Sequence, residues 1–156
     1  MTDMMLHDLE LSVNCYKVQL FSSLLGLPLE IEPVDFLAGA HKRSPLSDRN
    51  PFCEIPIFED SNVTLRDSQA ILVYLVRKYR RENRLPTDVT PMAGVVSWLM
   101  VAENEIAPGP NDTRLHDKFG YQLDGGLSRK KSERILGLLE SHLKKNDWLA
   151  QPPDHR

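Results

Sequence analysis

Cysteine is scarce in this chain: Cys15 and Cys53 are the only two among 156 residues. So few cannot form a disulfide framework, and their separation is not that of a metal-binding pair, so no metal is expected. Long apolar runs are also missing. None approaches the ~18 residues that a membrane span requires, which argues against a membrane role. Basic charge is in deficit, with a net charge of -3. Without a dominant basic stripe, nucleic acid is not an expected partner. The opening segment, Met1–Glu10, carries Asp3, Asp8 and Glu10 but no Lys or Arg. Secretory and mitochondrial leaders are basic, so a reduced, cytoplasmic setting is expected. Internal repeats and low-complexity tracts are absent as well.

The patterning divides the chain in two. Met4–Leu9 is a weak strand candidate. From Asn14 to Leu25, the residues Tyr16, Val18, Leu20, Phe21, Leu24 and Leu25 recur at helical spacing, and Gly26 is a natural stop. Leu29–Val34 alternates like a strand, with Pro33 favouring its end or a sheet edge. The polar stretch Phe36–Asn50 has room for one short helix. Ile55–Phe58 and Val63–Leu65 flank the turn Glu59-Asp60-Ser61-Asn62 and predict a hairpin. Ser68 is placed to cap a helix whose Ile71, Tyr74, Leu75 and Tyr79 share a face. The order β-α-β-α-β-β-α predicts a small mixed sheet carrying helices over residues 1–79.

A charged run from Arg77 to Arg84 leads to Pro86, and residues 80–89 read as a linker. Strand signals stop there. Val95, Trp98, Leu99, Ala102 and Ile106 mark a helix that Pro108-Gly109-Pro110 is expected to terminate. A second helix fits part of Asp112–Phe119. Ile135, Leu138, Leu139 and Leu143 mark a third, beginning after Gly125-Gly126. Residues 90–156 therefore predict a helical domain.

Residues 50–71 carry the most chemistry. Two short strands surround a proline, and the pair Asp67-Ser68 opens an amphipathic helix. Such a layout presents backbone and hydroxyl groups to an anionic small molecule at a helix N-terminus, where unpaired N–H groups and the dipole favour negative charge. The Asn-Pro…Ile-Pro-Ile hairpin, the helix Asp-Ser-Gln-Ala-Ile-Leu-Val-Tyr-Leu and the order of elements together resemble the glutathione transferase superfamily. Leu11-Ser12-Val13-Asn14-Cys15-Tyr16-Lys17-Val18 looks like the first loop and helix of its serine-type bacterial and theta-like members.

The resemblance implies a thioredoxin-like N-terminal domain, a helical C-terminal domain and a homodimer. It also implies glutathione as co-substrate, conjugated to an electrophilic small molecule. By position, Ser12 would hydrogen-bond the glutathione sulfur and favour its thiolate; the residues alone favour Ser12 as a helix cap, and the resemblance puts the catalytic role first. Ile55 would offer its backbone to the cysteinyl part, and Pro56 would hold the preceding peptide cis. Asp67 and Ser68 would bind the γ-glutamyl end, although both also suit an ordinary helix start. Asp67 discriminates, because capping by Ser68 does not require it. His41 and Lys42 would meet the glycyl carboxylate, against the plainer reading of a solvated basic run. Family members continue past Trp148-Leu149-Ala150 into a further buried helix. An apparently truncated C-terminus should therefore expose apolar surface near Trp98 and Leu139, reducing stability or driving association.

Two other functions fit the same residues. One is a glutathione-binding or interaction protein with impaired catalysis. The other is a glutathione-linked thiol–disulfide reductase using Cys15, one helical turn past Ser12, where a helix N-terminus lowers thiol pKa values. Against that stands Cys15 as a small buried core residue.

Overall fold

The structure, a computed structural model, describes residues 4–79 and 84–150. Its contacts divide the chain into two compact units, Met1–Arg81 and Glu82–Arg156.

The first unit is a four-stranded sheet with helices. Strand β1 (Met4–Asp8) leads to helix α1 (Val13–Leu24), strand β2 (Glu30–Pro33), a single 3-10 turn at Ala40–Lys42 and helix α2 (Leu46–Arg49). Strands β3 (Ile57–Asp60) and β4 (Val63–Arg66) then precede helix α3 (Ser68–Lys78). The strand order is β2-β1-β3-β4. β2 runs parallel to β1, whereas β1–β3 and β3–β4 are antiparallel. Pro33 thus lies on an edge strand, where its missing N–H costs no interior ladder bond.

Leu6 faces Ile31 on one side and Phe58 on the other, and Phe58 faces Leu65. Leu6 and Phe58 are wholly buried with Cys15, Val18, Ile71 and Leu75, so α1 and α3 share a core with the central strands. On the other face, Glu59 bridges two elements: its carboxylate oxygens lie 2.7 Å from His7 Nε2 and 2.8 Å from Arg49 Nε. Asp60 is also buried, and accepts from Lys78 Nζ and the Tyr74 and Tyr79 hydroxyls. A buried carboxylate needs such partners.

Several expectations shift. Glu59 and Asp60 belong to β3, and the hairpin turns on Ser61-Asn62 alone. Their side chains are tied by the partners just described, which a solvated turn would not provide. The stretch 36–50 holds two short helical elements rather than one. In α1 the buried residues are Cys15, Val18 and Ser22, while Tyr16, Leu20 and Leu24 are exposed. This helix is apolar on two faces, so periodicity alone could not say which faces inward.

The second unit contains α4 (Val89–Val101), α5 (Asp112–Phe119) and α6 (Gly125–Leu143). Part of the expected linker, residues 80–83, lies outside the described residues, and Val89 is already helical. Pro108-Gly109-Pro110 does not end a helix. It lies inside a wider, π-type segment, Ala102–Asn111, that joins α4 to α5. In an α-helix each proline would clash with the carbonyl four residues earlier; a wider turn moves the partner one residue further back. Asp112 N–H duly reaches Ala107 O. Gly109 is needed for packing, since a Cβ there would come within 3.2 Å of the Ser132 backbone nitrogen on α6. Likewise α6 starts at Gly125, not after it, with Asp124 as cap accepting from Leu127 N–H at 2.9 Å. A Cβ on Gly125 would lie 2.7 Å from the His116 ring. Trp98 and Leu139 are half-buried, Trp98 packing edge-on against His142; exposed apolar residues of this unit include Val96, Met100, Leu136, Leu138, Leu143 and Trp148. Among the described residues, no helix is long and apolar enough to cross a membrane.

Burial opposes ionisation of Glu59, but hydrogen bonds from His7 and Arg49 outweigh it and hold its pKa below the ordinary value. A carboxylate depressed in the folded state stabilises fully above its unfolded pKa of ~4.3, and that stability is lost as pH falls through the folded value. Glu59→Gln should therefore cost about 1–2 kcal/mol near neutral pH. In thermal melts the deficit should shrink progressively once pH falls below about 4; a deficit independent of pH would contradict this account.

Candidate active site

The sheet brings the candidate residues to one end. Asp8, at the close of β1, faces Pro33, at the close of β2. Ile57, the first residue of β3, faces His7 on one side and Arg66, the last residue of β4, on the other. The chain therefore leaves β1 towards Ser12, leaves β2 towards His41, enters β3 from Ile55-Pro56, and leaves β4 into Asp67-Ser68, all at that end.

Ser12 is the N-cap of α1. It has extended backbone angles, and its Oγ accepts from Cys15 N–H at 3.3 Å. A hydroxyl that accepts one bond keeps its proton to donate, so the cap role leaves the Ser12 O–H available to an anion. Cys15 is wholly buried. Burial pushes its thiol up to about 11, against hydrogen bonds from Ser12 and the Leu9 backbone that pull it down. The helix N-terminus thus fails to produce the low-pKa thiol expected of a redox cysteine, and Cys15 is a core residue.

At α3 the capping roles are exchanged. Asp67, not Ser68, is the N-cap, its Oδ1 accepting from Ala70 N–H at 2.9 Å. Capping does use Asp67, so that residue does not discriminate between a ligand site and an ordinary helix start. Its backbone is more telling, with φ +79° and ψ 115°. For a non-glycine residue such angles cost about 1–3 kcal/mol, and they persist only where the surroundings impose them. Ser68 becomes the first helical residue. It is 2% exposed, and its Oγ accepts from Lys17 Nζ at 2.9 Å. Lys17 also donates to Asn14 Oδ1 at 3.1 Å. This lysine on α1 joins the starts of α1 and α3.

The Ile55–Pro56 peptide is cis, as is Ser44–Pro45. Ile55 is half-buried just ahead of the β3 ladder, and Pro56 is buried. His41 is 4% exposed and stacks on Phe36, with ring centroids 3.9 Å apart. Burial, then the neighbouring Lys42, lowers its pKa. A neutral His41 can meet a carboxylate only as an N–H donor, not as a cation. Lys42 is exposed.

The same arrangement recurs in known proteins. The family model for the glutathione S-transferase N-terminal domain matches residues 6–84. This chain belongs to the glutathione S-transferase family. Glutathione S-transferase 3 of Zea mays is 30% identical over 161 residues, covering 96% of this chain and 71% of the maize protein. Among solved structures, the Phanerochaete chrysosporium glutathione transferase URE2P6, in complex with oxidized glutathione, superposes with a TM-score of 0.83 at 26% identity. That match covers 95% of this chain and 71% of the fungal one. A second transferase of that fungus, URE2P5, shares the fold with a TM-score of 0.86 at 23% identity, covering 96% and 70% of the two chains.

Within this glutathione S-transferase domain, two residues escaped the sequence reading. Lys17 fell among the polar residues of α1, and only its distance to Ser68 singles it out. Gln69 is buried, and its amide has no hydrogen-bond partner among the described residues; nothing in the structure accounts for it.

The raised Cys15 pKa has a direct consequence. At a pH near 8, a disulfide reagent should not modify Cys15 in the native protein, and should do so only after denaturation. Comparing titrations of wild type and Cys15→Ser isolates this thiol; fast native-state reaction of Cys15 would overturn its placement as an inert core residue.

Proposed function

We propose that this glutathione transferase binds glutathione across the loop end of its sheet and conjugates it to an electrophilic small molecule. The supporting observation is the convergence of the Ser12 cap, the Ile55-Pro56 approach to β3 and the Asp67-Ser68 helix start at one sheet end, with Lys17 linking two of them. In this reading Ser12 identifies the chain as a serine-type member, by donating its hydroxyl proton to the glutathione sulfur. A free thiol with a pKa near ~8.5 is mostly protonated at neutral pH. A donated hydrogen bond favours the charged form, as does the N-terminus of α1. The thiol proton goes to solvent. With an aromatic halide as electrophile, sulfur then forms a bond to the ring carbon and the halide leaves with its electron pair.

Ile55 meets the cysteinyl backbone by strand-like pairing. Ser68 and the N-terminus of α3 take the γ-glutamyl carboxylate, and the second Asp67 oxygen faces the ammonium. His41 donates to the glycyl carboxylate, with Lys42 adding charge from the surface. The domain division at 1–79, 80–89 and 90–156 and a homodimer complete the reading. Cys15 has no part in it, which removes the observation that would favour a reductase.

Two measurements test it. Calorimetry should show glutathione binding to wild type and about tenfold weaker binding to Ser68→Ala, equivalent to about 1.4 kcal/mol. Absence of heat from wild type would end the glutathione reading. Ser12→Ala should lower stability by about 1 kcal/mol through loss of the cap. If Ser12 also holds the thiolate, the rising limb of kcat/KM against pH should move upward by about one unit with an aromatic halide, since the bound thiol loses its donor. A stability loss with an unmoved pH profile would leave Ser12 as a cap alone.

A further inference from the structure

We propose that Lys17 is a positioning residue that sets the polarity of the Ser68 hydroxyl and so selects a carboxylate at the start of α3; the inference rests on the glutathione reading above.

A serine hydroxyl can donate one hydrogen bond and accept two, and an isolated one rotates to suit its partners. An ammonium group has donors only. Because Lys17 Nζ lies 2.9 Å from Ser68 Oγ, the oxygen must accept there, and the hydroxyl proton is directed elsewhere. Ser68 is the first residue of α3, and the residue four positions earlier, Thr64, lies in β4. The usual back-bond from a helical serine to the preceding turn is therefore not in place. The O–H is left to serve a ligand, and a ligand that receives it must present an acceptor.

Charge acts in the same direction. The ammonium stands beside the helix start, where the backbone already favours an anion. Asn14 Oδ1, at 3.1 Å, holds Lys17 from within its own helix, and Ser68 is almost wholly buried, so neither partner swings freely into solvent. Buried, charge-assisted hydrogen bonds of this type are stronger than neutral ones. The pair thus acts as a polarity filter: it favours a carboxylate and disfavours an amide or ammonium at the same point.

Three ligands and two variants test this. The ligands are glutathione, its glutaryl analogue, which keeps the γ-glutamyl carboxylate but lacks the amine, and its 4-aminobutanoyl analogue, which lacks that carboxylate. By calorimetry, Lys17→Met should weaken glutathione and the glutaryl analogue by about tenfold or more. The 4-aminobutanoyl analogue should change by about twofold or less. Lys17→Arg, which keeps donors and charge, should restore most of the loss. With an aromatic halide held saturating and glutathione varied, KM for glutathione should rise in Lys17→Met while kcat holds. Equal loss for all three ligands would make Lys17 a structural tie and overturn the proposal, as would unaltered affinity for glutathione. Thermal melting of both variants identifies a folding defect, and Lys17→Arg still decides the matter if Lys17→Met does not fold. Failure of the proposal would leave wild-type glutathione binding intact, whereas failure of the glutathione reading would abolish it.

Discussion

The first unit depends on the register of three strands around Leu6 and Phe58. Leu6 faces both Ile31 and Phe58, with β1 parallel to one neighbour and antiparallel to the other. A slip of one residue would turn every side chain of a strand to the opposite face. It would expose Leu6 and Phe58, and would also move Ile55 and Asp67 away from the level of Ser12. The apolar core and the candidate site are thus set by one alignment. This is why residues far apart in sequence can share a site without touching through their own loops.

The two serines show one physical idea used twice. Each hydroxyl already accepts a hydrogen bond inside the protein, Ser12 from a backbone N–H and Ser68 from an ammonium. Each keeps its own proton to donate, at the start of a helix whose dipole favours negative charge. For Ser12, a capping role and a ligand role are then compatible readings of one hydroxyl.

Much of the first unit was legible because its signals are local. Alternation in Leu29–Val34, Gly26 after α1 and the hydrophobic face of α3 each announce an element without help from the rest of the chain. What stayed hidden is tertiary. The capping exchange between Asp67 and Ser68 turns on a backbone angle that no residue type declares. The Lys17–Ser68 bond joins two helices that are far apart in sequence but share one core, and a lysine among polar residues carries no mark of it. Pro108-Gly109-Pro110 reads as a stop because prolines break α-helices; the wider segment that accommodates them, and the close approach of Gly109 to α6, show only in the fold. Of the candidate residues, Ser12, Ile55, Pro56, Asp67 and Ser68 lie at the same sheet end, from which the chain also leaves towards His41, whereas Cys15 turns into the core for reasons of burial that the helix N-terminus could not offset.

The unusual backbone of Asp67 has a consequence for the energetics of association. A loop that must rearrange to receive a guest loses conformational freedom at that moment, and affinity suffers accordingly. At Asp67 the costly conformation is held within the chain by its own cap to Ala70. The ordering of this turn is thus tied to the folding of α3 itself, through a hydrogen bond that needs no guest.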